Sequence, residues 1–137
     1  MRRIAVASLA VTALAAACSP LQDTKAADAG IAAFHQKLNA GDFAGIYSGG
    51  TPALKANNPQ ADLVQMFAAI HRKLGAFQSG TDVGWYESLN TGAHFLTINY
   101  SARYERGAAS ESFVYRIDGS QAQLDGYHVT SKALILN

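Results

Sequence analysis

HFLTINYSARYE, residues His94 to Glu105, is the stretch that decides the fold. Leu96, Ile98, Tyr100, Ala102 and Tyr104 take alternate positions, and Phe95, Thr97, Asn99, Ser101, Arg103 and Glu105 take those between. Successive side chains of a strand point to opposite faces, so this period of two predicts a long, half-buried strand with the tyrosines and aliphatics inward.

The pattern repeats on both sides. Arg106-Gly107 begins a turn, and SFVYRI places Phe113, Tyr115 and Ile117 on one face. Asp118-Gly119 is a hairpin signal. In QLDGYHVTS the apolar residues are Leu124, Tyr127 and Val129. The step from Leu124 to Tyr127 is odd, so both can face inward only if a bulge sits near Asp125-Gly126. His128 has the opposite parity to Tyr127 and is expected outward. Upstream, AFQSGTDVGWYESL is a weaker strand interrupted by Gly80 and Gly84, closed by Asn90-Thr91-Gly92. About four strands in a meander are expected.

Before Gly75 the apolar period is that of a helix. Ala27, Ile31, Phe34 and Leu38 form one stripe, and Leu63, Phe67, Ile70 and Leu74 form another. Asp23 or Thr24 can cap the first helix, and Gly41 is suited to a left-handed stop. Asp42 can cap a short helix with Phe43, Ile46 and Tyr47 inward. Thr51-Pro52 reads as another start, with Pro in the first turn. Helices first and strands after imply an α+β domain, with helices packed on one face of a curved antiparallel sheet. His35 and His71 are expected at helix edges.

The beginning of the chain has a different character. Arg2 and Arg3 precede the uncharged run IAVASLAVTALAAA, Ile4 to Ala17. Fourteen residues are too few to cross a hydrocarbon core of ~30 Å as a helix. A positive start, a short apolar run and small residues at its end are the layout of a secretion signal. Residues 1–17 are therefore read as a signal peptide, 18–25 as a polar tether and 26–137 as one domain. Cys18 is the only cysteine, so no disulfide can form within the chain.

Without Arg2 and Arg3 the chain carries nine basic and ten acidic residues, which provides no basic field for nucleic acid. The four histidines, His35, His71, His94 and His128, show no ligand spacing, and no metal or cofactor is expected. No carboxylate falls inward on the two clear strands by alternation, which leaves acid–base catalysis without its acid.

Two resemblances add to these readings. LAAACSP, Leu14 to Pro20, resembles the bacterial lipobox, although Leu14 stands one place earlier than the leucine most lipoboxes carry. The likeness implies cleavage before Cys18, with lipid on its sulfur and on the new α-amine. Ser19 in place of Asp implies the outer membrane of a Gram-negative envelope, facing the periplasm. Residues 26 to 133, with Gly41-Asp42-Phe43, Tyr47, Arg72-Lys73-Leu74-Gly75 and Gly126-Tyr127, resemble small bacterial lipoproteins of the cystatin-like, nuclear-transport-factor-2-like superfold. That superfold hosts many unrelated functions.

The expected role is a non-catalytic, membrane-anchored envelope lipoprotein that binds an envelope protein or itself. The outer sheet face around Phe95, Thr97 and Arg103, with Phe77 and Trp85, would be its contact surface. The alternative is a small-molecule or lipid binder, using a cone mouth lined by Trp85, Tyr86, His94, Tyr104 and Tyr115. An isomerase or hydrolase in the same cone is a third reading. For the tyrosines, ordinary core packing with each hydroxyl partnered competes with any pocket.

Overall fold

In the computed structural model, residues 20–137 are described, and the signal segment and Cys18 lie outside them. Four helices come first: α1 (Pro20–Ala40), α2 (Phe43–Ser48), α3 (Pro52–Asn57) and α4 (Gln60–Leu74). Four strands follow: β1 (Phe77–Asn90), β2 (Ala93–Tyr104), β3 (Gly107–Asp118) and β4 (Gln121–Thr130). A last short helix, α5 (Ala133–Leu136), was not anticipated from the tail.

Local chemistry sets the helix ends. Gly41 has φ 73°, and the Asp42 N–H donates to the Lys37 carbonyl at 2.9 Å, closing α1. That left-handed closure suits glycine, which has no Cβ to clash. The Gly45 N–H donates to Asp42 Oδ1 at 2.9 Å, capping α2. Thr51 Oγ1 accepts the Leu54 N–H at 3.1 Å and donates to Asp125 Oδ1 at 2.5 Å. One side chain thus caps α3 and ties it to β4.

The strands form one antiparallel sheet in the order β1-β2-β3-β4. In β2 the alternation holds: Leu96, Ile98, Ala102 and Tyr104 are buried. Thr97, read as outward, is buried too, and Phe95 is half-buried. The bulge is where the odd step required it. Val114 lies opposite Gly126 and Tyr115 opposite Leu124, so Asp125 is the extra residue. The weak strand is one continuous β1, its register shifting between Phe77 and Ser79 and between Asp82 and Gly84.

The helices cover one face of the sheet, and the space between is filled with side chains. Phe34 of α1 meets Phe67 of α4, Phe113 of β3 and Tyr127 of β4 at ring-centre distances of 5.6, 5.1 and 4.6 Å. Aromatic rings at such distances contribute beyond their area alone. The cone interior is therefore largely core.

Two expectations are corrected here. The helix α1 already begins at Pro20, so Asp23 and Thr24 lie inside it rather than capping it. His35 is not at a helix edge. It is buried, four residues after Ile31 on the face that packs against the sheet.

Candidate functional site

Glu111 is the inward carboxylate that strand alternation had not revealed. It is 2 % exposed, on β3 opposite Tyr100. The apolar alternation of this strand starts only at Ser112, because Ala108, Ala109 and Ser110 carry little apolar signal. Glu111 nonetheless shares the parity of Phe113, Tyr115 and Ile117. The Tyr104 and Tyr127 hydroxyls both donate to its Oε1 at 2.6 Å. His35 Nε2 lies 2.8 Å from its Oε2. A buried carboxylate needs such partners, because an unpaired one would keep its full desolvation cost. Burial first, and then the Glu111 charge, drives the hydroxyls of Tyr104, Tyr115 and Tyr127 well above the ordinary tyrosine range.

The His35 ring forms part of the floor of a cleft between α1 and β1. It stacks on Phe77 with ring centres 3.6 Å apart and planes 7° apart. Asn39 holds the two elements together: the Phe77 N–H donates to its Oδ1 at 2.8 Å, and its Nδ2 donates to the Phe77 carbonyl at 3.1 Å. The cleft measures about 430 Å³, with Ile31, His35 and Phe77 below and Asp28, Asp82 and Tyr100 among its walls. Gly80 is required here. A Cβ on it would lie 2.2 Å from the Tyr100 ring and 2.9 Å from the Ser101 carbonyl oxygen.

One acid of the cleft is unusual. Asp82, an exposed residue of β1, is pushed up to about 6 from 3.8, by partial desolvation against the cleft first, then by the Asp28 charge and the hydrogen bond between the two carboxyls. Like charges held together disfavour ionising both. Tyr100 is raised as well, by burial and then by Asp82, Glu111 and Asp28. A carboxyl that titrates near neutrality in a cleft is suited to accepting hydrogen bonds, balancing a cation or moving a proton.

The five residues expected to line one cone mouth do not form one site. Tyr104 and Tyr115 are buried in the core. Trp85 and Tyr86 stand exposed on β1. His94 is the second residue of β2 and lies beside Asp23 in the first turn of α1. The expected contact surface divides as well, since Phe77 belongs to the cleft and Thr97 to the interior. Tyr100, read as core, is half-buried and walls the cleft.

His94 has acquired partners far away in sequence. Its Nδ1 is 3.6 Å from Asp23 Oδ2 and its Nε2 is 3.7 Å from Glu87 Oε2. The three residues offer ligand atoms within 4.8 Å of one another, the grouping among the described residues that could hold a metal ion. Each carboxylate, however, faces a different ring nitrogen, an arrangement that a protonated imidazole satisfies by itself. Among the described residues, no helix is long and apolar enough to cross a membrane.

A helix-covered antiparallel meander with its cleft beside the first helix can be compared with known proteins. A crystal structure from Streptomyces avermitilis, described as a candidate dehydratase of the NTF2-like (nuclear-transport-factor-2-like) family, superimposes with a TM-score of 0.51. The match covers 81 % of this chain and 96 % of that one, at 16 % identity. The fold is NTF2-like. At that identity the likeness extends to architecture and no further. No family model matches the sequence, and no curated protein does. The NTF2-like frame is compatible with ligand binding, and here the open space lies in the α1/β1 cleft rather than in the packed interior.

Proposed function

We propose that this NTF2-like domain binds a small polar organic molecule in the α1/β1 cleft, while lipid on Cys18 holds it at a bacterial cell envelope. The observation that carries the binding reading is Asp82 beside Asp28, titrating near 6 in a cleft of about 430 Å³. That volume suits a small ligand, and a few convergent polar groups over an apolar floor are the usual composition of such sites. Above pH 6 the paired carboxylates favour a ligand that brings hydroxyl or ammonium donors. The Phe77 ring, backed by the buried His35 ring stacked on it, offers a surface for its apolar part. Glu111 orients His35 from behind and is engaged by three partners, the two tyrosine hydroxyls and His35 itself, so it acts as a positioning residue.

The anchor reading rests on LAAACSP. Its expected consequences are a diacylated or triacylated Cys18 and residence in the outer membrane facing the periplasm.

Native mass spectrometry of the full chain with Cys18→Ser, purified gently from its own kind of envelope, tests the binding reading. An added small mass that disappears in Asp82→Ala supports it. A bare monomer that stays bare through a metabolite-extract screen sinks it. A clean dimer or a co-purifying protein would favour the interaction-module reading instead. Retention of the Cys18→Ser protein by membranes would remove the anchor.

A second reading has one observation in its favour. A carboxyl near 6 can give and take protons, as a dehydratase, isomerase or hydrolase would require. Turnover that vanishes in Asp82→Asn while ligand mass is still captured would select it.

A further inference from the structure

Within seven residues of β1, four large apolar side chains stand in solvent: Val83 (65 % exposed), Trp85 (49 %), Tyr86 (57 %) and Leu89 (81 %). Folded domains seldom expose such a concentration without a use for it. The segment lies on an edge strand, and every β1 residue after Phe77 is exposed. Neither Lys nor Arg occurs between Lys73 and Arg103, and Glu87 is the sole formal charge from Val83 to Ala93. The arm is therefore apolar and aromatic, not electrostatic.

Its place in the fold suggests what covers it. The tip of the β1–β2 hairpin lies beside the start of α1. Asp23 reaches His94 at 3.6 Å, and Leu89 lines the same hollow of about 460 Å³ as Asp23 and Glu87. Cys18 precedes Asp23 by five residues. Even fully extended, that length spans at most ~18 Å. A lipid on Cys18 would thus be tethered within that reach of Asp23, beside which the tip of the apolar arm lies.

We infer that the β1 arm is a second membrane contact, in which Trp85 and Leu89 from one face of the strand and Tyr86 from the other settle edge-on into the lipid interface next to the acylated Cys18. The inference rests on the anchor proposed above. Trp and Tyr favour that boundary because one part of each ring system is apolar and one part seeks water. A lipid chain that has already brought the domain to the surface removes most of the entropic cost of a further contact. The contact would hold α1 at a set angle to the membrane.

Trp85 is the chain's one tryptophan, so its fluorescence reports the arm alone. The full lipidated chain, purified from membranes and checked by intact mass, is placed in phosphatidylethanolamine–phosphatidylglycerol vesicles with and without a brominated lipid. The expected result is a blue-shifted Trp85 emission, quenched by brominated lipid and shielded from aqueous iodide. Leu89→Ser, outside the cleft and the core, should lose most of the lipid quenching while the fold, read by circular dichroism, is kept. Acylated protein whose Trp85 stays open to iodide and indifferent to brominated lipid overturns the inference and leaves the anchor standing. Shielding that persists without vesicles, in a dimer dissolved by Leu89→Ser, overturns it in favour of a second copy on the arm. A Cys18 without acyl mass removes the anchor and the inference with it.

Discussion

His35 and Glu111 are 76 positions apart in sequence and 2.8 Å apart in space. Their contact joins α1 to β3 through the core, with the hydroxyls of Tyr104 and Tyr127 completing the shell of the carboxylate. Deleting one member of a buried, hydrogen-bonded pair leaves the others desolvated and unpaired. Glu111→Ala should therefore cost about 3–5 kcal/mol in urea unfolding. Glu111→Gln keeps one acceptor oxygen and should cost clearly less. A Glu111→Ala protein within about 1 kcal/mol of the parent would show that the network contributes little.

The same network governs behaviour in alkali. Tyr104, Tyr115 and Tyr127 are raised in the folded state, mainly by burial. A raised group binds its proton more tightly in the folded chain than in the unfolded one. Its contribution is complete below the ordinary tyrosine value of 10.0 and is lost as pH rises toward the folded value. Phenolate absorbance should show Tyr104, Tyr115 and Tyr127 ionising only with unfolding. Early, reversible ionisation of five or six tyrosines without unfolding would contradict their burial.

Asp82 has the same sign in a different window. Its folded value of about 6 exceeds 3.8, so the protonated form favours the fold, and stability should decline as pH rises between those values. Because its side chain reaches solvent, the effect will be modest and salt-sensitive. Asp82→Asn should flatten that part of the pH profile. Asp28→Asn should bring the Asp82 midpoint, read by carboxyl NMR, down toward the ordinary aspartate range. An unchanged midpoint in Asp28→Asn would mean that the two acids do not interact.

Core and cleft aromatics should respond differently. Phe113 is fully buried among Phe34, Tyr115 and Tyr127, so Phe113→Ala should cost ~3–5 kcal/mol. Tyr100 is half-buried against the cleft, and Tyr100→Ala should cost roughly half as much, with water taking the place of part of the ring. Equal losses in chemical denaturation would place Tyr100 in the core after all.

The sequence by itself determined the architecture. Alternation in His94–Glu105 and around Phe113 set the strand faces, the apolar stripes of Ala27–Leu38 and Leu63–Leu74 set the two main helices, and the odd step from Leu124 to Tyr127 required its bulge. These are local signals, because a side chain's face follows from its position along one element. Only the tertiary structure decided the site. His35 read as a helix-edge residue and Glu111 fell outside the strand signal, and polar residues become core residues only when folding brings partners to them. Asp28 and Asp82 came together across α1 and β1, and that meeting shifts the titration of Asp82. Trp85 and Tyr86 fit a pocket by composition. They stand in solvent because that part of β1 is left uncovered by the other described elements, and which part of a sheet is covered is settled by the fold as a whole.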